Sequence, residues 1–171
     1  KEPYGQIPAT TMKEFETYTL PNGIRGIHRQ TRSNVAHCAL VVNAGSRDER
    51  RSEYGIAHFT EHALFKGTRR RRAYQVNCRL ENLGGELNAY TTKEDTTLHA
   101  TTLRSDFSKA VELIADIAFH STFPERELAK EREVIADEIN TYKDSPAEMI
   151  YDSFEDMIFA DSELGHNILG S

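Results

Sequence analysis

The sequence predicts an α+β domain in which a mostly antiparallel sheet packs against helices. Three observations carry this. Before residue 104, two turn signals each join a pair of strand-like runs, which is hairpin chemistry and therefore antiparallel. After it, apolar residues recur at helical spacing. Strands and helices come in blocks with no strict alternation, the pattern of an α+β layer fold.

The elements follow in chain order. FETYTL (15–20) alternates, Pro21-Asn22-Gly23 is a strong turn signal, and IRGIHR (24–29) returns as the second arm of a hairpin. VAHCALVVNA (35–44) reads as a buried strand. GSRDERRSEYG (45–55) is a polar loop leading into GIAHFTEHALFKGT, whose centre reads as a helix. GTRRRRAY holds Arg69 to Arg72, which read as a solvated loop between two helices. AYQVNCRLENL (73–83) is helical and stops at Gly84-Gly85. ELNAYTT (86–92) and TTLHATTL (96–103), joined by Lys93-Glu94-Asp95, form the second hairpin. FSKAVELIADIAFH (107–120) is an amphipathic helix. Pro124 with Glu125 and Glu127 behind it starts another, running to about Lys143. Ser145-Pro146 punctuates, and AEMIYDSFEDMIFA (147–160) is the last helix.

With 171 residues, 38% of them hydrophobic, the chain suffices for one globular αβ domain with its own core, residues 1–171. A net charge of −6 and a pI near 5.7 exclude the usual basic nucleic-acid binder. No apolar run is long enough to cross a bilayer, and KEPYGQIPATTMKEF has no signal-peptide pattern. The chain starts at Lys1 rather than Met, which implies removal of upstream residues, so the compartment is not legible here. Cys38 and Cys78 have no CxxC partner and read as ordinary buried thiols. Any metal must be held by His and carboxylate.

HFTEH (58–62) is where such a metal is expected. On a helical wheel of about 100° per residue, His62 lies about 40° from His58 and Glu61 about 60° on the other side. The rest of the helix is apolar nearly all round, which implies burial. Two imidazoles and a carboxylate taken out of water need partners. Histidines at i and i+4 can both aim a ring nitrogen at one ion, while Glu61 reaches a water on that ion. This is the HExxH zincin motif in reverse order.

A catalytic zinc takes three protein ligands and keeps one position open. The long acidic helix ERELAKEREVIADEINTYK (125–143) is the place for the third. Leu128, Ile135 and Tyr142 recur every seven residues, and Glu131 and Glu138 share their stripe. Glu125, Glu127, Glu133 and Asp137 fall mostly on other faces as solvated charge. Either Glu131 or Glu138 could ligate; the other would then support the site.

GSRDERRSEYGIAHFTEHALFKGT closely resembles the zinc-site region of the inverzincin peptidases: pitrilysin, insulin-degrading enzyme and mitochondrial processing peptidase. EREVIADEI resembles the segment bearing that family's third ligand. The resemblance implies one zinc ion held by His58, His62 and Glu138. It makes Glu61 the general base for the zinc-bound water, and Glu131 an additional acidic residue supporting the site. LGGELNAYTTKEDTT (83–97) resembles the strand on which these enzymes bind substrate, with Asn88 and Ala89 at the matching positions. The implied activity is zinc-dependent endopeptidase cleavage of a peptide or unfolded protein bound in extended form.

The resemblance runs from the Leu-Pro-Asn-Gly turn to Gly-His-Asn-Ile-Leu-Gly, yet family members are much longer. It therefore implies an N-terminal part of a multi-domain peptidase, needing a C-terminal half or a partner subunit, as in a dimer, and inactive or weak alone. Two rivals stand beside it. A non-catalytic, substrate-presenting subunit would be expected to have lost one of His58, Glu61, His62 or Glu138. The S-ribosylhomocysteine lyases share the HxxEH pattern but take a downstream cysteine as ligand, and no Cys follows Cys78.

Overall fold

The computed structural model describes residues 15–160 and 162–170. The N-terminal stretch read above for a targeting signal lies almost wholly outside them. The fold is α+β, and it divides into two compact units, residues 1–33 and 34–171.

In the first unit β1 (Glu16–Thr19) and β2 (Arg25–His28) pair antiparallel, with Thr17 opposite Ile27. The Gly23 amide donates to the Leu20 carbonyl at 2.9 Å to close the turn. Gly23 has φ +90°, which a side chain would strain, so the turn chemistry read from Pro-Asn-Gly is the one used.

The second unit is built on a three-stranded antiparallel sheet in the order β3-β5-β4, from β3 (Val35–Val42), β4 (Glu86–Thr91) and β5 (Thr96–Leu103). Leu98 lies opposite Leu40 and Ala89, and Ala100 opposite Cys38 and Leu87. A period of two puts all six on one face. Helix α3 (Phe107–His120) lays Ala110, Leu113, Ile114 and Ile117 on that face, at i, i+3, i+4 and i+7. Val76 and Leu80 of α2 (Ala73–Glu81) complete the core. After α2 the chain turns at Gly84, φ +71°, and the Gly85 amide donates back to Leu80 at 2.9 Å.

Three more helices position the site. Helix α1 (Ile56–Leu64) packs against both β4 and α4 (Glu125–Lys143), and α5 (Pro146–Ile158) packs on α4. Pro146 opens α5 at its first turn, where its missing N–H costs nothing.

Several expectations need correction. The β3 run is no buried strand: it alternates, and Val41 is 60% exposed. It lies at the sheet edge with one face covered, so its valines mark strand propensity rather than depth. Cys38 and Cys78 are half-buried, though burial still pushes the Cys38 thiol upward. Helix α1 is only partly covered by its neighbours, β4 and α4 among them; Ile56 is exposed, while His58 and Ala63 are buried. The Arg69–Arg72 loop is not uniformly solvated. The Arg71 guanidinium donates to Asp116 at 2.5 Å and to both Glu112 oxygens at 2.8 and 2.9 Å, and Thr68 donates to Asp116 at 2.8 Å. Burial alone would raise the Asp116 carboxyl, but these bonds outweigh it and hold it below the usual range.

Candidate metal centre

Helix α1 starts at Gly55, φ +95°, and brings His58, Glu61 and His62 within one turn of each other. Its entry is anchored by Glu49 in the preceding loop. This carboxylate accepts from the Gly55 amide at 2.8 Å and the Ala57 amide at 2.6 Å, donors that the start of a helix leaves without intrahelical partners.

Helix α4 faces α1 with the stripe anticipated from its seven-residue repeat. Glu131 and Ile135 are buried on it and Leu128 and Tyr142 half-buried, while Glu138 is more open than the stripe implied, its side chain 43% exposed. His58 Nε2 lies 3.7 Å from one Glu138 oxygen and His62 Nε2 3.6 Å from the other. Those gaps are too long for hydrogen bonds. They are close to the separation of about 3.4 Å between neighbouring ligands of a tetrahedral ion with bonds of about 2.1 Å. Candidate ligand atoms of His58, His62 and Glu138 all lie within 4.8 Å of one another. The donor set of two imidazoles and a carboxylate fits zinc.

The two histidines are supported unequally. Glu131 Oε1 lies 2.8 Å from His62 Nδ1, and a carboxylate can only accept. Nδ1 therefore donates to Glu131, which leaves Nε2 as the ring nitrogen nearer Glu138. The other Glu131 oxygen is 2.5 Å from the Lys66 ammonium. Burial would raise Glu131, but the bonds from Lys66 and His62 outweigh it and hold its carboxyl low. His58 Nδ1, by contrast, is buried with no hydrogen-bond partner among the described residues. Burial, and next the neighbouring His62, push the His58 pKa down, favouring the neutral imidazole that a metal needs.

Glu61 lies outside that group of three. The Thr91 hydroxyl of β4 donates to its Oε2 at 2.5 Å. Asn88 and Ala89 lie on the same strand, opposite His99 and Leu98, and the Ala89 amide donates to Asn88 Oδ1 at 2.8 Å. Among the described residues β4 is an edge strand, so its outer side has no strand partner.

Sequence reasoning missed Glu49, Lys66 and Thr91 as neighbours of the site. Lys66 had a signal, since it follows His62 by four residues. Glu49 sat in a charge-rich loop and Thr91 in an ordinary strand, so neither announced itself.

The family model described as insulinase (peptidase family M16) matches residues 27–171. The chain belongs to this peptidase family. An uncharacterized zinc protease of Rickettsia bellii is 40% identical over 162 residues, covering 94% of this chain and 39% of its own length. The mitochondrial-processing peptidase subunit beta of Rattus norvegicus is 36% identical over 157 residues, 92% of this chain and 32% of its own. A crystal structure of a protease from Helicobacter pylori superposes with a TM-score of 0.88 at 27% identity, over 94% of this chain and 39% of that one. The chain thus spans roughly a third to two-fifths of these relatives. As a peptidase-family member it is similar to named zinc proteases, and no helix among its described residues is long and apolar enough to cross a membrane.

Proposed function

We propose that this chain is the zinc-binding domain of a metalloendopeptidase, the N-terminal part of a longer protein, with one zinc ion held by His58, His62 and Glu138. The observation that carries this reading is the convergence of those three side chains from two helices at ligand spacing, too far apart to be bonded to each other. Zinc bound there would supply Lewis-acid polarisation of a peptide carbonyl and a lowered pKa for water.

The protein's own groups do the rest. Glu61, oriented by Thr91 at one carboxylate oxygen, uses the other to take a proton from the attacking water and return it to the leaving amine. Glu131 fixes the His62 tautomer. The β4 edge, with Asn88 and Ala89, binds an extended peptide through main-chain hydrogen bonds, which demand little of its sequence. In this reading a C-terminal half, or a partner subunit in a dimer, completes the substrate cleft, which the greater length of the relatives supports.

Zinc content of the purified chain tests the ligand set. Wild type and Glu133→Gln are expected to hold one zinc ion each, and Glu138→Gln to lose it. Retention by Glu138→Gln together with loss from Glu133→Gln would overturn the assignment.

A further inference from the structure

We propose that Glu49 and His166 are positioning residues for the metal helix, a clamp through which the segment 162–170 fixes where α1 enters the site. The inference rests on the zinc site proposed above.

Glu49 is the more deeply buried of the two, its side chain only 2% exposed, and no Lys or Arg among the described residues pairs with it. A carboxylate at that depth is stable only with a full set of donors. It has three: the Gly55 amide, the Ala57 amide and His166 Nε2 at 3.1 Å. Two of them belong to the first turn of α1, whose N-cap Gly55 has no side chain to satisfy them, and the negative charge also faces the positive end of the helix dipole. Ala57 immediately precedes His58, so the bond to Glu49 fixes the backbone from which that imidazole projects.

His166 is held by ring stacking and by its neighbours, although its Nδ1 is buried without a hydrogen-bond partner among the described residues. Its ring stacks on Tyr54, with centroids 3.7 Å apart and planes 5° from parallel. Tyr54 donates in turn to Glu163 at 2.9 Å. The Lys93 ammonium donates to the His166 carbonyl, and Asn167 donates to Asp152 of α5 at 2.6 Å. The segment also presses directly on the helix entry. A Cβ on Gly55 would sit 2.8 Å from the Leu169 carbonyl, and one on Gly170 would collide with the Tyr54 carbonyl. Both glycines have positive φ, so contact and conformation each require them.

Helix α1 is thereby tethered at both ends. Glu131 holds it near the C-terminal end through His62, and Glu49 with His166 holds its N-terminal end. The distance from the two Nε2 atoms to Glu138 depends on both tethers. His166 touches no proposed ligand, so it acts through Glu49.

The test uses the 171-residue chain, with zinc affinity measured by chelator competition and site geometry by the visible spectrum of bound Co²⁺. A Glu49→Gln chain with wild-type circular dichroism is expected to bind zinc about 10–100-fold more weakly and to shift the Co²⁺ bands. His166→Leu should do likewise, and His166→Gln, which keeps a donor toward Glu49, should restore both readouts. Wild-type affinity and spectrum in folded Glu49→Gln or His166→Leu would overturn the clamp. One measurement needs no variant. Coupling is reciprocal, so zinc added to the wild type must slow amide exchange at Gly55, Ala57 and residues 162–170. Unchanged exchange there also overturns the clamp. A wild-type chain that binds no zinc overturns both the clamp and the metal site beneath it, whereas zinc binding indifferent to Glu49 and His166 overturns the clamp alone.

Discussion

Glu131 is a buried carboxylate between a lysine and a histidine, and its protonation should be visible in the stability of the metal-free chain. Its pKa is depressed in the folded state, so its contribution is present above the ordinary carboxyl value of 4.5 and is lost as pH falls through the folded value. Glu131→Gln should therefore flatten the acid limb of a urea-midpoint profile taken from about pH 7 to about pH 3. An acid limb as steep as wild type would contradict that account. Glu61 makes a complementary case. Because it stands outside the ligand group, Glu61→Gln should keep full zinc content, yet lower peptide cleavage about 10²–10⁴-fold in an enzyme containing the whole cleft.

Among the elements, α3 carries the core and should be the least tolerant of truncation. Leu113→Ala, at a fully buried position, should cost about 2–5 kcal/mol in urea unfolding. Val111→Ala on the exposed side of the same helix should change stability by less than about 0.5 kcal/mol. Equal losses at the two sites would remove the packing argument. The bounds of α3 were legible because an amphipathic helix writes its period directly into the sequence. The depth of β3 was not, since a valine-rich run looks the same at a sheet edge and in its centre. The Arg71–Asp116 pair was illegible for another reason. Neither residue carries a local mark of its partner, and a lone aspartate in a helical pattern reads as a solvated face. The three residues of the site proposed as zinc ligands were all singled out from sequence, two by their spacing and Glu138 by its place on a seven-residue stripe, though choosing it over Glu131 rested on family likeness. Of the groups around the site, Glu131 was legible on the same helical stripe, whereas Glu49 and Thr91 came from a loop and a strand with no periodicity to read.

For the whole molecule, the proposed site joins two helices far apart in sequence, so metal should stabilise the fold as well as equip it. Zinc at a hundred times its dissociation constant should add about 2.7 kcal/mol, lost again on chelation and absent in Glu138→Gln. A melting temperature indifferent to chelator would argue against a site spanning α1 and α4. The isolated chain is expected to turn over peptides weakly or not at all, and robust turnover would sink the idea that a further half or partner completes it. The unequal exposure of the ligands has a kinetic side as well. His58 is enclosed, whereas the Glu138 carboxylate lies open to solvent. For the proposed ligand set, exchange of the ion then begins with release of Glu138, leaving a two-histidine clip on one helix that a competing chelator can strip. The lifetime of the bound ion would then be set by how often one turn of α4 lets go.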